Sequence, residues 1–453
     1  MHAIIGPMTG YNYGTMQAPS GGEWQSPDFL GYNKELPTCI FSTFQDEMSA
    51  RRVLREESSW VQSLDGKWRF HWAPTPDKRP LDFYKKDFSD VRWDYIEVPS
   101  NWSIAGLGQK GEQRYGTPIY VNQPVIFQHS VKEGDWRGGV MREPPQTWTT
   151  YKCRNEVGSY RRTFNMPDSW QGRETYINFD GVDSFFYLWI NGQYVGCSKN
   201  SRNRARFRIT PYLSKGQNIV SVEVYRNSDG SFLEAQDMFR LPGIYRSVWL
   251  ESKPKVQILD MRATPYLDKD CRNASLELTA DLLNLNKQTA KNLKIDYKLF
   301  LNKLYSQENT LVKDAHVGIE IASVKGLSVI TANTQMYLVR PKLWSNEEPW
   351  CYTLVASILD KHNKVLETVS TIVGFRKVEI RETSAEEDEF GLSGRYLYLN
   401  NRPVKLKGVN RHETSPERGH AISREQMIQE IYMMKRANIN QVRLSHYPND
   451  PFW

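Results

Sequence analysis

Cysteine is scarce in this sequence: five residues in 453, at positions 39, 153, 197, 271 and 351, with no CxxC spacing. That scatter excludes a disulfide framework and a cysteine zinc site. No stretch approaches the ~18 apolar residues of a membrane span, so no membrane partner is expected. The opening MHAIIGPMTGYNYG lacks the basic n-region and long apolar h-region of a secretory signal. A cytoplasmic location is therefore expected, or a periplasmic one if the N-terminus is incomplete. Two N-x-S sequons, at Asn101 and Asn273, are too common a pattern to argue secretion. A basic block is missing as well. The formal net charge is +7, but Lys and Arg interleave with Asp and Glu and no recognition-helix motif occurs, which excludes nucleic acid.

Aromatics, by contrast, are plentiful: 12% of residues, with 14 Trp and 24 Tyr. They suit the cores of β-sandwiches and also surfaces that stack on the apolar faces of sugars. The length suggests about three domains. Residues 1–50 are rich in Gly, Pro and polar residues and read as an arm lying over another surface. Residues 51–254 show short alternating runs between turn residues, such as GKWRFHW (66–72), SVEVYRN (221–227) and YRSVWLES (245–252). In FFYLWI-NG-QYVG the Asn191-Gly192 pair is a strong hairpin signal. An antiparallel jelly-roll sandwich is expected there.

Residues 255–376 contain SLELTADLLN (275–284), NLKIDYKLFL (292–301) and CYTLVASILD (351–360). Roughly seven short strands in ~120 residues fit an immunoglobulin-like sandwich without its disulfide. Over 377–453 the pattern changes. VKLKGVNRH reads as a strand, and Ser423-Arg424-Glu425-Gln426 reads as an S-x-x-Q capping box. Met427, Ile431 and Met434 then mark one apolar helix face, and QVRL follows as a second strand. Strand, helix, strand is a βαβ unit, the expected start of an incomplete (β/α)8 TIM barrel.

Two histidines sit just past those strands, His412 after GVNR and His446 after VRLS. Polar residues at the C-terminal ends of barrel strands point into an active-site mouth. Each is equally readable as a capping or partly exposed histidine, but two at equivalent positions strengthen the functional reading. The segment SDGSFLEAQDMFR (228–240) carries three carboxylates and a carboxamide, which suits cation binding or a solvated turn. VPSNW (98–102) and TPIYVN (117–122) suit sugar contacts or the closing of a sandwich edge.

KLKGVNRHE followed by QVRLSHYPN resembles the opening of the catalytic barrel in β-galactosidases of glycoside hydrolase family 2. GKWRFHW, VPSNW, GTPIYVN, GSYRRTF, SDGSFLEAQDMFRLPGIYRSV, LWSNEEPWCYTL and VGFR resemble further family segments, in order along nearly the whole chain. GVNRHE with RLSHYPN favours the β-galactosidase branch over the glucuronidase-like and mannosidase-like ones. The resemblance implies a multidomain retaining hydrolase that releases terminal non-reducing β-D-galactose. It implies galactosyl-binding roles for His412, His446, Asn122 and Asp237, with a sodium ion at Asp237 in some members. It also implies that Arg443 orients the nucleophile, as an Arg beside a carboxylate keeps it ionised. Asn227, Ala235 and Leu444 depart from the residues common at their positions, and Ala235 removes an acid beside Asp237.

Retaining hydrolysis needs two carboxylates about 5–5.5 Å apart. In the family both lie downstream of SHYPN, as do the magnesium ligands of the acid/base region, so neither catalytic glutamate is expected among these 453 residues. Glu413, adjacent to His412, is not expected to replace them. The expectation is an N-terminal portion, inactive alone, whose residues from about 380 onward are mobile, rearranged or prone to aggregate. Full-length members are often homo-oligomeric. Two other readings stand beside this one: a non-catalytic carbohydrate-binding or scaffold module, and one half of a split enzyme complemented by a C-terminal chain.

Overall fold

The computed structural model describes residues 13–14, 16–26, 30–121, 155–234, 236–302, 309–388 and 391–453. Strands dominate them, in a jelly-roll sandwich, an immunoglobulin-like sandwich and the first part of a TIM barrel. The first sandwich sets an eight-stranded sheet against a four-stranded one, and the alternation in its strands explains both layers. In Phe185–Ile190, Phe186, Leu188 and Ile190 face inward, where they join Trp68, Phe70, Val220, Val222, Ile177 and Leu250 in the core. Phe185, Tyr187 and Trp189 point to the opposite face, because successive side chains alternate across a strand. That face has its own aromatic layer with Phe83 and Tyr225.

Part of the cover for this layer comes from the N-terminal residues. Trp24 stacks on Tyr225, with ring centroids 5.4 Å apart. Neighbouring Glu23 accepts bonds from the Tyr187 hydroxyl and from the N–H groups of Ser20 and Gly21. Gly31–Tyr32 then adds to the edge of Gln193–Ser198. The hairpin between Phe185–Ile190 and Gln193–Ser198 forms at Asn191 and Gly192, both with positive φ (53° and 79°). Those angles match the twist of the strands they join.

In the second sandwich, Val256–Leu267, Asn273–Asn284 and Ser328–Val339 form one sheet. The other is built from Asn309–Val324, Ala290–Asn302, Cys351–Leu359 and Val365–Val373, with Ser42–Phe44 added at its edge. Leu276, Leu278, Ala280 and Leu282 point inward, against Leu293, Ile295, Tyr297 and Leu299. Each fully buried side chain of this kind contributes roughly 1.5–3 kcal/mol, so apolar packing holds the fold together without a disulfide. A buried ion pair ties the two sandwiches. The Lys253 Nζ lies 3.1 Å from the Glu367 carboxylate, which also accepts the Ile258 N–H at 2.6 Å.

After a small sheet of Val378–Thr383, Gly394–Leu399 and Arg402–Pro403, the chain forms the parallel pair Gly408–Arg411 and Gln441–Leu444 around helix Arg424–Arg436. Two local expectations need correction. The VKLKGVNRH strand is confined to Gly408–Arg411. Before it, Asn440 takes the place of a strand partner, accepting from the Lys407 N–H (2.7 Å) and donating to the Lys405 carbonyl (3.0 Å). The capping box is half formed: Ser423 Oγ accepts the Gln426 N–H, but the Gln426 side chain turns to Glu430. Of the expected apolar helix face, Met427 is buried while Ile431 is exposed. No described helix is long and apolar enough to cross a membrane.

Candidate functional site

The parallel pair sets the site. Its register places Arg411 opposite Leu444, so His412 and His446 emerge together at the C-terminal ends of the two strands. Their imidazoles meet edge to face, 5.3 Å between centroids and 88° between planes. Burial lowers the His412 pKa, and the neighbouring His446 and Arg443 add to this, opposed by Asp237. His412 is therefore neutral at neutral pH, with one ring nitrogen to donate and one to accept. Arg443 is exposed on the second strand and donates to Ser445 Oγ at 3.1 Å.

Asp237 reaches the histidines from the first sandwich. Met238–Arg240 pairs antiparallel with Ile119–Val121, so Tyr120 lies opposite Phe239 and their rings pack 5.3 Å apart. The Tyr120 hydroxyl donates to Asp237 Oδ1 and fixes the carboxylate at the exposed end of this ribbon. Asn122 lies outside the described residues; its neighbour Val121 is opposite Met238. Groups that sequence distance keeps apart thus come together: His412 meets His446, and Asp237 is near enough to His412 to act on its charge.

The other carboxylates of 228–240 diverge. Asp229 pairs with Lys199 at 2.6 Å, and Glu234 accepts from the Ser201 hydroxyl (2.6 Å) and N–H (2.8 Å). Among the described residues no three His, Cys, Asp or Glu side chains converge as a metal would need. In VPSNW the sandwich-closing alternative holds. Asn101 and Trp102 are buried, Asn101 Nδ2 donating to the Leu241 carbonyl at 2.7 Å and Trp102 Nε1 to Glu156 at 3.2 Å.

Glu413 is buried and fully engaged elsewhere. Its Oε2 lies 2.6 Å from Arg246 of the first sandwich, and its Oε1 accepts the Asp450 N–H at 2.7 Å. Arg246 also donates to the carbonyls of Pro448 and Arg202, each at 2.8 Å. This clamp anchors both histidine-bearing turns. Arg411 reinforces it through Glu430 and Asn449, each at 2.6 Å, beneath the Trp453 ring. Sequence reading did not single out Arg246 or Tyr120. Both stand in segments that carry the family resemblance, GIYRSV and GTPIYVN, and that was the only signal for them.

Three family models match in succession: the sugar binding domain of glycosyl hydrolases family 2 over 61–254, the family 2 domain over 256–376 and the family 2 TIM barrel domain over 390–453. A β-galactosidase of Priestia megaterium is 37% identical over 440 residues, covering 96% of this chain. One from Psychromonas ingrahamii is 36% identical over 95% of it. The chain spans 39% and 37% of those relatives' lengths. Among solved structures, a β-glucuronidase of Bacteroides uniformis aligns over 86% of this chain and 40% of its own, at TM-score 0.66 and 21% identity. A β-galactosidase described as putative, from Bacteroides fragilis, gives 0.65 at 18%. These last two likenesses speak to the fold. With three successive models of a single family matched in order, the chain belongs to glycosyl hydrolase family 2.

Proposed function

We propose that this chain carries the galactosyl-recognition part of a β-galactosidase-type retaining hydrolase, one that releases terminal non-reducing β-D-galactose by double displacement. The observation that carries this reading is the convergence of His412, His446 and the Tyr120-bound Asp237 from two domains. Imidazoles beside a carboxylate supply both donors and acceptors, the set that adjacent sugar hydroxyls require. A site built to pair with specific hydroxyls rejects sugars that leave those groups unpaired. The names of the relatives favour galactose.

In this reading His412 and His446 bind hydroxyls near the reacting carbon, and Asp237 accepts from another. Arg443, cationic and exposed beside His446, holds a nucleophilic carboxylate ionised. The reaction also needs an acid/base and a nucleophile. Glu413 serves neither role, because its carboxylate is committed to Arg246 and Asp450. We assign both roles to the part of the relatives that this chain does not span. Asp237, whose Oδ1 accepts from the Tyr120 hydroxyl, is the one carboxylate this reading would give a sodium ion, the remaining ligands being carbonyl, hydroxyl or water oxygens.

Titrating the chain with D-galactose, followed by NMR of its histidine side chains, tests the reading. Saturable shifts of His412 and His446 are expected, with affinity about tenfold weaker in Asp237→Ala, the loss of one charge-assisted bond. Equal response to D-glucose, or none to galactose, would overturn it.

A further inference from the structure

A buried histidine that the proposed site does not use has contacts on both sides of its ring. His420 is 2% exposed. Its Nδ1 lies 2.8 Å from the carbonyl oxygen of Glu413, and its Nε2 lies 3.1 Å from that of Phe239. Its ring packs edge-on against Tyr447 at 5.7 Å and Tyr245 at 6.0 Å. Three of these four partners adjoin a group of the sugar site. Glu413 follows His412, Tyr447 follows His446, and Phe239 stands two residues past Asp237 on the same ribbon.

The backbone beneath this imidazole is equally determined. The His420 N–H donates to Asn101 Oδ1 at 2.7 Å, while Asn101 Nδ2 donates to the carbonyls of Leu241 (2.7 Å) and Pro242 (3.3 Å), just beyond the Asp237 ribbon. Gly419 has φ +62°, and a Cβ there would fall 2.6 Å from Asn101 Oδ1. Only glycine combines that conformation with so close an approach.

We propose that His420, seated on Asn101, is the positioning residue that fixes the sandwich half of the sugar site, Asp237, against the barrel half, His412 and His446. This rests on the reading that those three residues form one subsite. The imidazole suits the task by shape. Its two nitrogens lie against carbonyl oxygens of two different segments, so the neutral ring donates its one N–H to one of them and holds its other nitrogen in close contact with the second, while the ring packs beside the tyrosines. A glutamine reproduces the Nε2 end, and an alanine reproduces neither.

The test compares wild type with His420→Ala, His420→Gln and Gly419→Ala, reading the His412 and His446 ring signals by NMR and then galactose affinity. In His420→Ala we expect both ring signals to move toward those of exposed histidines and galactose to bind at least tenfold more weakly, with the melting temperature of the sandwiches retained. Glutamine should recover part of both effects. Gly419→Ala, which keeps the imidazole but displaces its seat, should show the same losses in milder form, and it serves if the alanine variant at 420 does not fold. Unchanged His412 and His446 signals in both folded variants would overturn the proposal. So would a lowered melting temperature with those signals intact, since that is what general destabilisation gives. Signals that move in a chain whose wild type ignores galactose would uphold the positioning role and reject the sugar reading instead.

Discussion

At the residue scale, the decisive feature is how the charges near the site are spent. Glu413 stands next to a candidate sugar ligand, yet its oxygens are consumed by Arg246 and the Asp450 N–H. Removing one partner of a buried ion pair leaves the other charged and unsolvated, at about 3–5 kcal/mol. Glu413→Ala is therefore expected to lose this docking while both sandwiches persist. Hydrogen exchange over 408–450 should quicken at least a hundredfold; unaltered exchange there would show that the clamp is not what holds the segment. His420 adds a pH dependence. Burial, aided by Arg202 and Arg246, pushes its pKa down to about 3, against the pull of the Glu413 and Phe239 carbonyls. A base whose folded pKa lies below its unfolded value of about 6.5 takes up its proton more readily when unfolded. Its stabilising contribution is whole above about pH 6.5 and declines as the pH falls toward 3. Between pH 7.5 and 5, wild type should lose more stability than His420→Gln, by about 2 kcal/mol for the 1.5 units below the unfolded pKa. Parallel denaturation curves for the two would contradict this.

At the element scale, the helix between the two barrel strands depends on one cap. Ser423 accepts the Gln426 N–H, and Gln426 does not return the bond. Ser423→Ala should cost the segment about 1 kcal/mol, while Gln426→Ala should cost much less, which chemical denaturation of the pair would resolve. The strands and hairpins of the sandwiches were legible in the sequence because their signals are local. Alternation in FFYLWI and SLELTADLLN, and Asn191-Gly192 between two runs, each lie within a dozen residues. The parallel pair with its helix was legible for the same reason, although the first strand was read too long. Local alternation in VKLK could not reveal that Asn440, 33 residues away, would bond the backbone at Lys407. The loop 228–240 misled in the same manner. Its acids look like a cluster, but Lys199, Ser201 and Tyr120 draw them apart through contacts made only on folding.

At the scale of the whole molecule, the site belongs to neither domain alone. His412 and His446 come from the barrel portion and Asp237 from the jelly roll, with Arg246–Glu413 and His420 joining them across 167 and 181 residues of sequence. Such pairings leave no periodic trace, so the family resemblance named the candidate sugar-binding residues while the sequence was silent on what holds them together. The clamp also bears on the expectation that residues from about 380 onward are loose. They have buried polar anchors on the first sandwich, and that docking holds the histidine pair, already set side by side by the parallel strands, against the jelly roll. The two sandwiches are joined in turn by Lys253–Glu367, whose loss in Glu367→Ala is expected to separate one cooperative unfolding transition into two.

The central claim is that this chain supplies galactosyl recognition and not the catalytic carboxylates. The most direct measurement is hydrolysis of aryl β-D-galactoside, β-D-glucuronide and β-D-mannoside by this chain alone and after fusion to the remaining portion of the Priestia megaterium relative. The account predicts no turnover by the chain alone, and galactoside turnover by the fusion that falls at least tenfold in His412→Ala. Hydrolysis by the unfused chain, or a fusion that prefers the glucuronide, would contradict it.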